Sequence, residues 1–336
     1  MLRTVINKLV GSVAAIFGAS IISFVFLRVL PGNPARLIVG PLAPASSLLS
    51  VEKQMGLDQP VIVQYGRYMT SFLRGDWGFS YGAGVPVTTE MASRLPASLE
   101  LGFYAFLLAF VAAVICALLA TYRYRPVTDG VVRGTAFFGL SVPPFWFGLL
   151  ALLLFFATWG ILPGPEGRLS TSTTPPPSIT HFYTIDALLH GQLSTFVDAV
   201  RHLILPAITL GLAPFSYLVR LLRANLLDVS REPFIIVVRS KGIGRFLAFA
   251  RHALPNAFLP TLTAAGLVLA QLLSGSVLVE KVFNWPGVGA LVTDSILRQD
   301  NAIVQTFILL SATAYVVVNL VVDILYGVID PRVRIS

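Results

Sequence analysis

Six stretches of this chain run for twenty residues or more with at most one Asp, Glu, Lys or Arg each, at roughly 9–30, 98–121, 133–160, 203–222, 258–280 and 303–329. A helix needs about 20 mostly apolar residues to cross the hydrocarbon of a bilayer. A transmembrane β-barrel would instead show alternating segments of about ten residues. The runs are too long and continuous for that, so the expected class is an all-α integral membrane protein with six transmembrane helices. Charged residues make up 12% of the 336, against roughly 25% in soluble domains. With a mean hydropathy of +0.79, the chain cannot clothe a water-exposed surface of its size. A soluble enzyme, a disordered chain and a free nucleic-acid-binding protein are thereby excluded.

Arg3 and Lys8 precede the first run as in a secretory signal. That run is longer than the usual apolar core of about 7–15 residues, and no small-x-small cleavage site follows it. It reads as a retained anchor helix. The net charge of +8 has a sidedness. With both termini in the cytoplasm, fourteen Lys/Arg and four acids fall on the inner side, leaving ten Lys/Arg and twelve acids elsewhere. The basic excess is then a topology signal of the positive-inside kind, with possible headgroup contacts, and not a sign of nucleic acid. Cys116, the single cysteine, has no partner for a disulfide or a metal site. His181, His190, His202 and His252 lack ligand spacing, so no metal is expected.

The segments between the runs divide the chain into an N-terminal helix (1–31), an extracytoplasmic subdomain (32–95) and a helical body (96–336) with an inner loop at 223–257. Gly75-Asp76-Trp77-Gly78 reads as a turn, and the Ser/Thr/Pro stretch Ser170–Ser178 as a loose segment. Phe283–Gly289 holds two Gly, one Pro and two aromatics and cannot be regular helix. Pro143-Pro144 should kink the third run. Phe145 and Trp146 beyond it are candidates for a pathway or a helix interface. Gln271, Ser274 and Ser276 in the fifth run, and Trp285 after it, are weighed the same way. Glu100 and Asp323 lie near run ends, and Arg94 is the expected partner of Glu100.

The inner loop carries six Lys/Arg with apolar residues between them. Asp228 or Ser230 should cap a short helix there, with Pro233 in its first turn and Gly242 ending it in the left-handed conformation. The β-branched Ile235–Val238 argues mildly against helix. Composition leaves two readings open. The helix lies in lipid headgroups, or it docks into a groove of another protein.

Gly242, nine further residues, and His252-Ala253-Leu254-Pro255 resemble the EAA loop of permease subunits of binding-protein-dependent ABC importers. The narrower resemblance is to the dipeptide/oligopeptide (nickel) permease family, of the dipeptide permease B type. It runs along nearly the whole chain, through Leu30-Pro31-Gly32-Asn33-Pro34, Gly56–Pro60, Arg74–Gly78, Arg94–Glu100, Ser141–Trp146, Phe283–Gly287 and Asp330-Pro331-Arg332. The loop departs from the consensus: Ile236 stands at the acid and Val237-Val238 at the alanines, with Glu232 one turn upstream. The resemblance implies a type I ABC importer permease that is not itself an enzyme. It implies a coupling surface made of Glu232, Phe234, Ile236, Arg239, Lys241, Gly242, His252, Leu254 and Pro255. It also implies a second permease subunit, two cytoplasmic ATPase subunits that hold ATP and Mg, and an extracytoplasmic substrate-binding protein. The chain itself has no Gly-x-x-x-x-Gly-Lys-Ser/Thr phosphate loop and no expected cofactor. The expected solutes are di- and oligopeptides. The rival readings are the same machine for nickel or haem, and an ATP-independent secondary transporter, which would show repeats and paired buried charges.

Overall fold

The computed structural model describes residues 2–29, 35, 39–40, 43–54, 56–122, 126–273 and 275–329, with side chains described for 10–25 of the first helix and up to Val321 of the last. Helix α1 is Leu2–Val29, followed by α2 (Ala45–Gln54), α3 (Val61–Leu73) and a two-residue antiparallel hairpin, β1 (Phe79–Ser80) and β2 (Val85–Pro86). Then come α4 (Val87–Tyr122), α5 (Pro126–Ser141), α6 (Pro144–Thr158), α7 (Tyr183–Leu189) and α8 (Leu193–Val229). The chain continues through α9 (Pro233–Ser240), α10 (Arg245–Leu273), α11 (Val277–Val282), α12 (Val288–Leu297) and α13 (Asn301–Ile329).

Among the described residues, four helices are long and apolar enough to cross a membrane: α4, α8, α10 and the Asn301–Val321 part of α13. The pair α5 and α6 makes a fifth if read as one bent span; α1 offers a shorter apolar stretch, Val10–Val25. The third run is therefore broken rather than continuous, by 107° at Val142-Pro143. Pro144 has no N–H to continue the α5 ladder, and the residue before a proline is driven out of the helical region. The fifth run also ends early. Helix α10 stops at Leu273, and Gly275 at φ +87° turns the chain into the separate short helix α11. Helix α4 starts at Val87, so the end of the expected subdomain is already helical.

The helices meet through small residues. Ala97, Leu101, Ala105, Ala109, Ala113 and Ala117 recur every four residues along α4, and each is at most 4% exposed. This stripe faces α8 and α10. A Cβ on Gly211 would lie 2.8 Å from the Ala105 carbonyl oxygen, and one on Gly102 2.7 Å from that of Leu272. Backbones this close leave room for nothing larger than Gly or Ala, the usual solution where lipid supplies no hydrophobic drive between helices. The opposite face of α4, with Phe103, Leu107, Val111, Ile115 and Leu119, is exposed.

Helix α3 leans on α1 through rings: Phe24 lies 5.4 Å from Tyr65 and 5.9 Å from Tyr68, and the Ser20 and Tyr65 hydroxyls are 2.7 Å apart. The Gly75–Gly78 turn forms as expected, with both glycines at positive φ and the Gly78 N–H donating to Asp76 Oδ1.

Replacing Gly211 by Leu should force α4 and α8 apart and cost about 1–3 kcal/mol, the usual penalty for overpacking. The thermal unfolding midpoint of the detergent-purified protein checks this; Leu107→Ala, on the exposed face, should leave it nearly unchanged.

Candidate functional site

Helix α9 begins at Pro233, whose missing N–H costs nothing in a first turn. Its N-cap is Glu232, in an extended conformation, with no side-chain cap. Asp228 and Ser230 do not cap it, because α8 runs on to Val229 and Ser230 closes that helix by donating its hydroxyl to the Leu226 carbonyl. The β-branched run is helical despite its propensity. Ile235 is buried, while Phe234 (40%), Ile236 (64%) and Val237 (52%) are exposed. Arg239 and Lys241 flank this apolar face, and Gly242 follows at φ +82° with nothing within 4 Å of where a Cβ would stand. Gly242 is thus required for its backbone angle and not for space.

The loop then returns to the bundle. The Arg245 guanidinium donates to the Tyr122 carbonyl at 2.8 Å, and the Phe246 and Phe249 rings lie 5.7 and 5.4 Å from that of Tyr122. A π-helical turn, Phe249–Ala253, leads into the straight part of α10. The His252 carbonyl accepts from Asn256, Leu254 packs on the core and Pro255 is exposed. Glu232 through Gly242 therefore gather at one tip. His252, Leu254 and Pro255 form the foot of the loop and are not part of the exposed apolar face.

Just above this tip, Asp129 of α5 is buried against Arg223 of α8, with Arg133 3.2 Å from its other oxygen. In the sequence both Asp129 and Arg223 are simply charges of the inner side. Their pairing spans 94 residues, and no local spacing announces it.

A cavity of about 700 Å³ opens where α5 bends into α6, between α8, α10 and α13. Gln271 and Ser276 line it, as does Pro144; Ser274 lies outside the described residues. Pro143 is exposed at the bend, and Phe145 and Trp146 turn outward, 40% and 46% exposed. Trp285 does not face this cavity. It is 1% exposed, and its indole N–H donates to the Ala97 carbonyl at 2.8 Å. A Trp this deep is an anchor: its ring fills the core and its N–H finds an acceptor.

The end of the bundle that carries the hairpin is knitted around the start of the α4 stripe. Glu100 is 1% exposed and pairs with Arg168, not Arg94; Arg168 Nη2 stands 2.6 Å away, and the Thr184 N–H and hydroxyl donate to the other oxygen at 3.0 and 2.7 Å. Arg94 sits instead 3.8 Å from Glu90, one turn away. Ser98 donates to Glu280 at 2.7 Å and accepts from the Val288 N–H at 2.8 Å. Ser80 reaches Asp300 at 2.6 Å, tying the hairpin to the start of α13. The Ser/Thr/Pro stretch is not loose at its ends. Ser170 donates its N–H and hydroxyl to Asp198, and the N–H groups of Ile179, Thr180 and His181 converge on Asp186. Burial works to raise the Asp186 carboxyl, but these donors and the Thr180 hydroxyl outweigh it and hold it below the usual carboxylate range.

Two buried charge pairs are thus present among the described residues. The Glu100–Arg168 and Asp129–Arg223 pairs sit at opposite ends of the bundle, where they fix segments to one another. Among the described residues no group of three or more His, Cys, Asp or Glu could hold a metal ion.

Residues 82–335 match the family described as binding-protein-dependent transport system inner membrane component, and residues 1–102 match its N-terminal companion. The chain is 41% identical over 323 residues to the probable D,D-dipeptide transport system permease protein of Escherichia coli K12, covering 96% of this chain and 95% of that one. It is 36% identical over 340 residues to the dipeptide transport system permease protein of the same organism, covering 99% of each. It is 35% identical over 334 residues to the glutathione transport system permease protein of that strain, again covering 99% of each.

Two outcomes follow from the hairpin-end contacts. Glu100→Gln leaves Arg168 buried and unpaired and should cost about 3–5 kcal/mol, read by thermal unfolding; Glu100→Gln with Arg168→Met should recover most of it. Because the folded Asp186 carboxyl titrates below its unfolded value, its contribution is complete above the unfolded value and is lost as pH falls through the folded one. The protection factors of the 179–181 amides against hydrogen exchange should therefore fall in acid, and Asp186→Asn should abolish that pH dependence.

Proposed function

The chain belongs to the family of binding-protein-dependent transport system inner membrane components, and from that premise we propose that it is the membrane-spanning subunit of an ATP-driven importer of di- and oligopeptides. It is a permease and not an enzyme. The observation that carries the reading is the full-length likeness to dipeptide permeases, together with a short helix that presents Phe234, Ile236 and Val237 outward at the tip of a loop.

The mechanism follows from that geometry. Two ATPase subunits, which hold ATP and Mg, dock below the permease pair from the cytoplasm, one of them against α9. The chain has no phosphate loop of its own. A groove that receives α9 meets an apolar face rimmed by Arg231, Arg239 and Lys241, instead of the acid of the consensus loop. Closure of the ATPases displaces α9. Helix α8 and the tether from Arg245 to Tyr122 pass that displacement into the bundle, and the buried Asp129–Arg223 pair carries it from α8 into α5. A second, similar permease subunit completes the pathway, and an extracytoplasmic substrate-binding protein delivers the peptide to the hairpin end. In this reading α1 and the bent α5–α6 pair complete six spans, with both termini in the cytoplasm of a cell whose inner membrane holds the protein. The positive-inside bias supports that orientation.

Gly242→Val puts a β-branched residue at φ +82°, a strain of about 1–2 kcal/mol. The variant should still insert and co-purify with its partners. In inverted vesicles, ATP hydrolysis should persist while ATP-dependent peptide transport is lost. Transport at the wild-type rate would refute the coupling role of the turn.

A further inference from the structure

The cavity at the α5–α6 bend holds a second kind of information. Its polar side chains are neutral: Tyr217 from α8, Gln271 from α10, Ser276 and Tyr315 from α13. Among the described residues, no Asp, Glu, Lys or Arg lines it. The cavity of about 460 Å³ at the hairpin end is the opposite, lined by Arg94, Arg168 and Lys281 with Glu166, Glu280 and Asp294. Tyr217 and Tyr315 are 39% and 43% exposed, and neither their hydroxyls nor the Gln271 amide hydrogen-bonds to the protein among the described residues. Helix rise puts Tyr315 about 21 Å from the start of α13 and Tyr217 about 18 Å from the end of α8, so both lie well inside their helices.

Two helix ends and one proline within a continuous helix surround this space. Pro214 supplies no N–H for the Leu210 carbonyl four residues earlier, and Pro144 none for Leu140; both leucines line the cavity. Gly275, which ends the α10 segment, lines it too. The walls thus combine hydroxyl and amide groups that both donate and accept with backbone acceptors freed by proline. An N–H followed by a C=O, repeated along a chain, satisfies such a set in either direction. An apolar solute or a lone metal ion does not.

We propose that this cavity is a main-chain station for the peptide in transit: Tyr217, Gln271 and Tyr315 hydrogen-bond its backbone amides, and the uncharged walls leave its side chains unread. The inference rests on the peptide reading given above. A neutral site suits passage, since a solute must bind well enough to enter and weakly enough to leave. A fixed charge here would hold peptides of opposite charge and repel the rest.

The test uses the complete importer in proteoliposomes, with Ala-Ala, Lys-Ala and Glu-Ala as probes. Tyr217→Phe with Tyr315→Phe keeps both rings and should lower subsaturating uptake of all three by about tenfold, the worth of one or two hydrogen bonds. Gln271→Glu keeps the shape and adds a charge; it should shift the Lys-Ala to Glu-Ala uptake ratio about tenfold toward Lys-Ala, while the binding protein's own affinities stay fixed. Should the double variant fail to co-purify with its partners, the Gln271→Glu ratio decides alone. Wild-type rates and ratios in the assembled variants would overturn the station while leaving the importer reading intact. A wild-type complex that takes up none of the probes would overturn both.

Discussion

Apolar side chains gain nothing by leaving lipid for protein, so a membrane bundle must be held by close packing and by buried polar contacts. In this chain the packing is concentrated in one line on α4, from Ala97 to Ala117, in which every residue but Leu101 is alanine. Gly211 and Gly102 let α8 and α10 approach that line to within van der Waals distance of its backbone. Both ends of the bundle are tied to it. At its start, Ala97, Ser98 and Glu100 hold Trp285, Glu280 and Arg168, which between them fix both of the long segments at the hairpin end. At its far end, Tyr122 receives Arg245 and fixes the return of the α9 loop.

This arrangement divides the molecule into a knitted end and a presented end. The hairpin end is braced by the buried carboxylates of Glu100, Asp186, Glu280 and Asp300, each of which accepts from two or more donors. The other end offers a short helix that turns Ile235 inward and presents Phe234, Ile236 and Val237 outward. Between them, helices broken by proline and glycine open a cavity with neutral polar walls. The proposed mechanism, in which the body tilts as a unit under a handle pulled from one side, fits this distribution of contacts.

The spans were legible because hydrocarbon tolerates few charges, but their ends were not. Helix α4 extends back to Val87 since Val87 and Met91 are buried against α12 and α13 residues far away in sequence, a contact that no local pattern encodes. Likewise, Arg94 is the local partner for Glu100, yet Arg168 wins because it arrives buried and stacked on the Tyr183 ring. Pro233 and Gly242 announced the short helix, since a missing N–H and a positive φ act within one turn. The four-residue alanine period was readable in the sequence and went unread. Tyr217 and Tyr315 could not be singled out, because an apolar helix gives no sign of which face meets a cavity.

The central claim is that α9 is the handle of a nucleotide-driven motor. Site-directed cross-linking tests it most directly. A cysteine at Ile236, in a chain whose single Cys116 is replaced by Ser, should cross-link to an ATPase subunit of the purified complex, with a yield that changes when ATP is bound. A complex active in uptake in which that cysteine meets no ATPase, or is labelled in whole cells by a membrane-impermeant thiol reagent, would contradict the account.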